Sequence, residues 1–185
     1  MRCHNNAPPR RKASYLWFTV VIMLIWAQPK SASGELFSEV YTRLLPDSSF
    51  AAIETDAGGR TIRRCPYRHR DGRIEMDQLI HALATLESED WIDENNREAA
   101  RKLLVKHYRR YAGQCLRQGP PEAMDLNTAS LHQLVRLPGI GPFLAVRIAE
   151  YRQKNDRFFR VEDITKVPGI SRSTYFAIRA YLYIW

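Results

Sequence analysis

The sequence predicts an all-α protein of 185 residues in three parts. Residues 1–33 form an export segment, residues 34–121 a small helical region of unknown role, and residues 122–185 a C-terminal helical bundle. Three observations predict this organisation: an apolar run near the N-terminus, apolar residues at helical spacing through the middle, and a repeat at an offset of 30 residues in the last third. We find no apolar–polar alternation typical of a half-buried strand, so no strand is predicted.

The N-terminal segment has the pattern of a secretory signal peptide. The basic residues Arg10–Lys12 precede an apolar run of 15 residues from Ala13 to Ala27, which is short for a membrane span of about 20 residues. The small residues Ser31–Ser33 occupy the usual cleavage positions, with Gly34 next. The segment predicts export and a periplasmic or other extracytoplasmic location; the alternative is an uncleaved membrane anchor.

Charge is unevenly distributed along the chain, whose formal net charge is +8. Residues 1–33 have five basic residues and no acidic residue, residues 34–121 have 14 of each sign, and residues 122–185 have nine basic and six acidic. Without the export segment the net charge is about +3, all of it in the last third. This distribution excludes a polybasic tail and a histone-like protein that wraps DNA.

The middle region contains three helix candidates. Apolar residues at helical spacing predict helices over residues 35–45, 77–86 and 93–111. The third candidate begins with acidic and ends with basic residues, an order that suits the helix dipole, and Gly113 is its expected stop.

An arginine-rich segment lies within residues 46–75, which are expected to be irregular. Residues 60–73 contain six arginines and, as their only acidic residue, Asp71. Such a run can be a second nucleic-acid contact. The favoured interpretation is a solvated loop whose charge is balanced by the acidic stretch at residues 87–98.

Two cysteines remain once Cys3 leaves with the export segment. Cys65 and Cys115 are an even pair in an exported chain, which predicts one disulfide between them; two buried thiols are the alternative. The sequence has no CxxC pair and no His/Cys cluster at metal-ligand spacing, so neither a metal nor another cofactor is expected.

The last third contains the internal repeat. Residues 134–141 read LVRLPGIG and residues 164–171 read ITKVPGIS, so apolar, basic, proline, glycine and isoleucine positions coincide. Each unit is expected to form a short helix, a tight turn and a longer helix, with the longer helices at residues 142–154 and 172–184. Two such units can bury their apolar faces against each other, whereas one alone is too small to hold a core.

The turn of each unit offers a phosphate site that needs no charged side chain. A Gly-Ile-Gly turn that enters a helix exposes backbone N–H groups at the positive end of the helix dipole. Glycine permits positive φ angles and a close approach of the ligand. Contacts of this kind go to phosphates and are independent of base sequence. The candidate DNA-binding residues are the turn residues and the nearby cations: Arg136, Gly139, Ile140, Gly141, Lys166, Gly169, Ile170, Ser171 and Arg172.

Residues 124–184 closely resemble the tandem helix-hairpin-helix domain of the ComEA competence proteins. The motifs that carry the resemblance are DLNTAS at 125–130, LPGIG at 137–141, IAEYR at 148–152, VEDI at 161–164 and VPGI at 167–170. The resemblance implies a compact bundle of about five helices that binds double-stranded DNA without sequence preference. It also implies a role outside the cytoplasmic membrane, where this family receives DNA during natural transformation.

The sequence departs from the family pattern at both turns. Phe143 and Leu144 follow Pro142, where the family usually has a polar or basic residue. Ser171 replaces the second glycine of the second turn; its N–H remains, and its hydroxyl is expected to add a donor. Arg172 can compensate by adding charge at the start of the next helix.

The functional interpretation is an exported DNA-binding protein of ComEA type, with the duplex phosphate backbone and other envelope proteins as partners. The alternative is an exported structural or protein-interaction module, because the photosystem II extrinsic protein PsbU resembles the same tandem fold and does not bind DNA. The sequence shows no paired carboxylates at a sensible site and no nucleophile motif, so neither an enzyme activity nor a small-molecule substrate is expected.

Overall fold

A computed structural model describes residues 39–185, so the predicted export segment and its cleavage position lie outside the described residues. The helices are α1 (Glu39–Arg43), α2 (Met76–Thr85), α3 (Glu94–Gln118), α4 (Leu131–Leu134), α5 (Pro142–Lys154) and α6 (Arg172–Ile178). Short 3-10 helices occupy Asp47–Ser49, Leu86–Ser88, Val161–Lys166 and Arg179–Tyr181. The strands are β1 (Phe50–Thr55), β2 (Thr61–Pro66), β3 (Met124–Asp125) and β4 (Leu182–Tyr183). Within these residues no helix combines the length and apolar character needed to cross a membrane.

The prediction of an all-α fold is wrong for residues 50–66, which form a β-hairpin. Strands β1 and β2 pair antiparallel, from Phe50 opposite Pro66 to Thr55 opposite Thr61. The connecting turn is closed by Asp56, whose carboxylate accepts the N–H of Arg60 at 2.9 Å. The hairpin gives no clear alternation signal because one of its inward-facing side chains is charged.

That charged side chain is Glu54, which joins the hairpin to the start of α3. Its buried carboxylate accepts the backbone N–H groups of Asp93 at 3.0 Å and Ile92 at 3.3 Å. It also accepts Nε of Arg64 at 3.2 Å and Nδ2 of Asn96 at 3.4 Å. Burial opposes ionisation of Glu54, but these hydrogen bonds outweigh it and lower the pKa of the carboxyl group.

The long helix α3 extends further than predicted. It continues through Gly113 to Gln118 and ends at Gly119, whose φ of +85° is a left-handed conformation suited to glycine. The expectation that Gly113 ends the helix is therefore wrong. The cost of one glycine inside a helix is only about 1 kcal/mol, which tertiary packing easily outweighs.

Two apolar cores lie side by side. The first is enclosed by the hairpin, α2 and the first half of α3, and includes Tyr67, Leu79 and Leu104. The second fills the C-terminal bundle around Ile148 and also takes in Ile80 of α2. Helix α2 thus packs on α4 and α5, so side chains from before and after the predicted boundary at residue 121 share one core.

Polar contacts hold α4 from two sides. The buried carboxylate of Asp77, in the first turn of α2, accepts the backbone N–H of His132 at 2.7 Å and lies 3.1 Å from its Nδ1. The side-chain contact between Asp77 and the imidazole raises the pKa of His132, although partial burial of the ring opposes this. From α3, the hydroxyl of Tyr111 donates to the carbonyl of His132 at 2.9 Å. The start of the first repeat unit is therefore fixed to α2 and α3.

Candidate nucleic-acid interface

The sequence repeat is also a structural repeat. In the first unit the N–H of Ile140 donates to the carbonyl of Leu137 at 3.1 Å, and in the second the N–H of Ile170 donates to Val167 at the same distance. The first unit consists of α4, a turn and α5. In the second unit, the 3-10 helix at Val161–Lys166 takes the place of α4 and is followed by a turn and α6.

The last helix is shorter than predicted. Helix α6 ends at Ile178, whereas the prediction extended it to Ile184. Residues Leu182–Tyr183 instead form β4, which pairs in parallel with β3, and the N–H of Leu126 donates to the carbonyl of Tyr183 at 3.0 Å. This pairing joins the first and last residues of the bundle. By contrast, α5 has the predicted bounds, residues 142–154.

The turn glycines differ in conformation. Gly139 and Gly169 have φ angles of +77° and +94°, in the left-handed region that glycine alone adopts readily. Gly141 has a φ of −94°, which any residue can adopt, and a methyl group built on it meets no heavy atom within 4 Å. The expectation of positive φ thus holds for the first glycine of each turn and is wrong for Gly141.

The two turns pack against each other reciprocally. A methyl group built on Gly139 would lie 3.9 Å from Cγ2 of Thr174, and one on Gly169 would lie 2.9 Å from Cδ2 of Leu144. Thr174 and Leu144 are themselves 30 residues apart, so each turn contacts the equivalent position of the other unit. Reciprocal contacts of this kind are the signature of a local two-fold axis.

The isoleucines of the two turns belong to the core. Ile140 and Ile170 are both buried, and both are part of the apolar cluster of the bundle. Their side chains stabilise the turns. Their backbone N–H groups already donate to the carbonyls of Leu137 and Val167, so neither isoleucine offers an unbonded amide to a phosphate.

The first turn leads into an open helix N-terminus. The first intrahelical bond of α5 runs from the N–H of Ala145 to the carbonyl of Gly141 at 3.0 Å, so the amide groups of Phe143 and Leu144 precede the hydrogen-bonded ladder. Phe143 is 53% exposed, and the centroid of its ring lies 4.1 Å from the guanidinium carbon of Arg147. A cation and two unbonded amides therefore surround this helix start.

The second turn is partly closed by its own side chains. The hydroxyl of Ser171 accepts the backbone N–H of Thr174 at 3.1 Å, and it lies 2.7 Å from the hydroxyl of Ser173 and 2.9 Å from that of Thr174. Ser171 therefore caps α6, and one amide that could bind an anion is already occupied. The hydroxyl, which was expected to add a donor, accepts this N–H and also lies within hydrogen-bond distance of two neighbouring hydroxyls.

The three predicted cations have different surroundings. Arg172 is exposed, and among residues 39–185 no carboxylate lies within 4.0 Å of it. Lys166 pairs with Asp163 at 2.8 Å, a contact that raises the pKa of the lysine. Arg136 is half-buried, and its buried Nε has no hydrogen-bond partner among the described residues.

A fourth cation, outside the predicted set, lies between the turns. Nη1 of Arg147 donates to the carbonyl of Pro168 at 3.0 Å and would lie 3.3 Å from a methyl group on Gly169. Arg147 thus links α5 of the first unit to the turn of the second. Arg147 and Pro168 are 21 residues apart in the sequence, so this contact cannot be predicted without the three-dimensional fold.

The other motif residues stabilise the bundle. Nδ2 of Asn127 donates to the carbonyl of Phe158 at 3.0 Å, and the N–H of Phe158 donates to Oδ1 of Asn127 at 2.8 Å. The buried guanidinium of Arg152 donates to the carbonyl of Ala129 at 2.6 Å. These side chains join the segment before α4 to the bundle and are absent from the candidate interface.

The predicted disulfide is absent from the structure, in which Cys65 and Cys115 are free thiols. Cys65 lies in the first core, where its thiol donates to Glu89 at 3.4 Å and burial raises its pKa. Cys115 lies on α3, 11 residues beyond Leu104 of the same core. That spacing is roughly 16 Å along a helix, far more than a disulfide spans.

The arginine-rich segment is not the loop that the sequence predicts, since residues 61–66 form strand β2, but its charge is largely paired with carboxylates. Three of its ion pairs are Arg60 with Asp56 at 2.7 Å, Arg63 with Asp47 at 2.7 Å, and Arg73 with Asp71 at 2.6 Å. The partners lie mostly within or before the segment, whereas the predicted acidic stretch 87–98 contributes Glu89, which lies 3.6 Å from Arg64. In the described part of the chain, no group of three or more His, Cys, Asp or Glu residues could hold a metal.

Comparison with known proteins supports the assignment of the bundle. Residues 121–183 match the family model described as the helix-hairpin-helix motif. A segment of 62 residues is 40% identical to ComE operon protein 1 of Bacillus subtilis (strain 168). The segment covers 34% of this chain and 30% of that relative. No solved structure matches. The resemblance to the ComEA proteins is thus confirmed for about a third of the chain, and the chain spans less than a third of the relative's length.

Proposed function

We propose that this protein is an exported, sequence-independent double-stranded DNA-binding protein of ComEA type that acts in DNA uptake during natural transformation. The observation that carries the proposal is the pair of reciprocal turns, the first of which presents unbonded amides at the start of α5. Two turns related by a two-fold axis suit the two phosphate backbones of one duplex.

Backbone amides and the positive end of a helix dipole bind phosphate without reading bases. Arg172 and Arg147 add positive charge at the second turn and between the turns. Because few phosphates are engaged, binding by the turns alone is weak. The slope of log K against log salt due to them is on the order of −2 to −4, from about 0.9 per phosphate neutralised.

Export is supported by the basic residues, apolar run and small residues at positions 10–33. Mass spectrometry of the protein from its native host tests it. Cleavage near Ser33–Gly34 is the expected result, whereas an intact N-terminus in the membrane fraction identifies an anchor.

The second candidate is a protein-interaction module built on the same fold. It is favoured by three exposed rings on the bundle, Phe143, Phe159 and Phe176, which are 53%, 69% and 59% exposed. It is also favoured by Ser171 and Lys166, which are engaged by neighbours at the second turn.

Binding of the full chain to a mixed-sequence duplex, measured by fluorescence anisotropy at two salt concentrations, separates the two candidates. The proposal predicts salt-sensitive binding with no preference among duplex sequences. Arg172→Ala removes an exposed charge and leaves the turn intact, so it should weaken binding to every duplex alike. If the parent protein does not bind duplex DNA at low salt, the interaction module is the correct interpretation.

A further inference from the structure

The outward face of α3 carries a concentration of positive charge that the net charge of the middle region conceals. Between Ala99 and Pro121 the chain has six basic residues and no acidic residue. All the acidic residues of the middle region therefore precede Ala99. The second half of α3 is a strongly basic element in a region that is neutral as a whole.

Four of these cations are exposed on one side of the helix, which we call the basic face: Lys106, Arg109, Arg110 and Arg117. At 3.6 residues per turn they lie within roughly 100° of one another around the helix. Ala100, Leu104 and Tyr108 lie on the opposite side, packed into the cores. The basic face extends over about 16 Å, from 1.5 Å per residue.

The charges of the basic face are not neutralised by the protein. No carboxylate lies within 4.0 Å of these four side chains among residues 39–185, whereas Arg101 and Lys102, one turn earlier, pair with Glu98 at 3.5 and 3.6 Å. The neighbouring His107 has a lowered pKa. Burial is the larger cause, and the positive charges of Arg68, Lys106 and Arg110 add to it.

The helix that carries the basic face lies next to the first turn. The hydroxyl of Tyr111 holds α3 to α4 through the carbonyl of His132 at 2.9 Å. An open groove beside that contact is lined on one side by Leu116 of α3 and on the other by Arg136 and Pro138 of the first turn. A polyanion bound at the first turn therefore has the second half of α3 as its neighbour.

The chemistry of this face favours a polyanion over a lipid surface. A helix that binds membranes inserts an apolar face among the lipids. The apolar side of α3 is packed into the protein, and the exposed large apolar residue on its second half is Leu116. Cations without partners on a rigid helix match the regular phosphates of a duplex, which carries one charge per about 1.7 Å.

We infer that the basic face of α3 is a second DNA-binding surface, which extends the contact made by the two turns. The inference rests on the proposed function for the identity of the polyanion. Neutralising up to four further phosphates adds roughly −3 to −4 to the slope of log K against log salt, at about 0.9 each. The whole chain is therefore expected to show a clearly steeper slope than the turns alone.

The test is the salt dependence of duplex binding by the full chain and three variants. The first replaces the basic face: Lys106→Gln, Arg109→Gln, Arg110→Gln and Arg117→Gln. The second is a control with the same change in net charge, made at arginines that already pair with carboxylates: Arg60→Gln, Arg63→Gln, Arg73→Gln and Arg97→Gln. The third, Gly141→Ser, alters only the first turn. Circular dichroism melts verify that each variant is folded.

For the basic-face variant, we expect the slope of log K against log salt to become shallower by about 3, at about 0.9 per phosphate lost. We also expect its affinity at low salt to fall at least tenfold. The slope of the control variant should change by less than about one. A basic-face variant that behaves like the control overturns the inference and leaves the proposed function intact. If the basic-face variant loses binding and Gly141→Ser does not, the second surface is supported and the role of the turns is contradicted. If the basic-face variant keeps its DNA affinity but no longer binds vesicles containing phosphatidylglycerol, the face contacts lipid and the inference is wrong.

Discussion

Replacing Gly141 by serine copies into the first turn the cap that Ser171 gives to the second. Position 141 has a φ of −94°, and a side chain there meets no heavy atom within 4 Å, so the substitution introduces neither strain nor a clash. By analogy with the bond from Thr174 to Ser171, the new hydroxyl should accept the N–H of Leu144. The same amide is one that we propose binds a phosphate.

Stability and DNA affinity are therefore expected to change in opposite directions. The cap adds a few tenths of a kcal/mol, and the loss of unfolded-chain entropy adds about 0.4 kcal/mol or more, so the total gain is about 0.5–1 kcal/mol. For a chain of this size that raises Tm by roughly 1–4 °C. The loss of one N–H donor to a charged phosphate weakens binding by about 1.5 kcal/mol, which is roughly tenfold.

Thermal melts followed by circular dichroism and fluorescence anisotropy with a mixed-sequence duplex measure the two quantities on the same samples. The reverse change, Ser171→Gly, should lower stability by about 0.5–1 kcal/mol, because it loses the cap and adds unfolded-chain entropy, and it should strengthen binding. Gly139→Ala is the control for backbone strain, since its φ of +77° makes alanine unfavourable by about 1–2 kcal/mol. If Gly141→Ser is more stable and binds DNA as the parent does, the amides of the turn are not the contacts.

Three further results are expected. Glu54→Gln should destabilise the fold by roughly 3 kcal/mol in urea denaturation, because buried donors lose their carboxylate partner. Since the pKa of Glu54 is lowered in the folded state, its contribution to stability is present above pH 4.5, the usual pKa of a glutamate, and is lost in acid. Equal acid sensitivity of the parent and the variant would contradict this. Because the pKa of His132 is raised in the folded state, its full contribution to stability is present below pH 6.5, the usual pKa of a histidine, and is lost as the pH rises through the raised pKa. An NMR titration of Asp77→Asn should show a lower pKa for His132. Cys115 should react with iodoacetamide before the buried Cys65 in the native protein, and a disulfide-linked peptide in the unreduced protein would refute the free-thiol arrangement.

The elements that could be predicted from the sequence are those whose signal is local. Helix α5 begins at Pro142 and ends at Lys154 as predicted, because the turn before it and the apolar spacing within it lie in one short stretch. The repeat at 30 residues likewise predicts two similar turns, whose hydrogen bonds prove to be equivalent.

The elements that were missed depend on distant partners. The β-hairpin turns Glu54 inward because the amides of Ile92 and Asp93 receive its carboxylate, and nothing near residue 54 in the sequence indicates them. Helix α6 is cut short because residues 182–183 pair with residues 124–125. At the candidate interface, Arg147 reaches Pro168 only because the two units pack together.

The reciprocal packing of Gly139 on Thr174 and of Gly169 on Leu144 bears on the orientation in which a DNA duplex would bind. A duplex has its own dyad axes, which relate its two antiparallel strands. The two turns differ in their caps and charges, but because phosphate contacts do not read bases, reversing the duplex about its own dyad presents the same phosphates to the same turns. If the turns bind DNA as proposed, the module holds the duplex without polarity. Under the proposed role in DNA uptake, vectorial movement of the duplex must then be imposed by another component that distinguishes its ends.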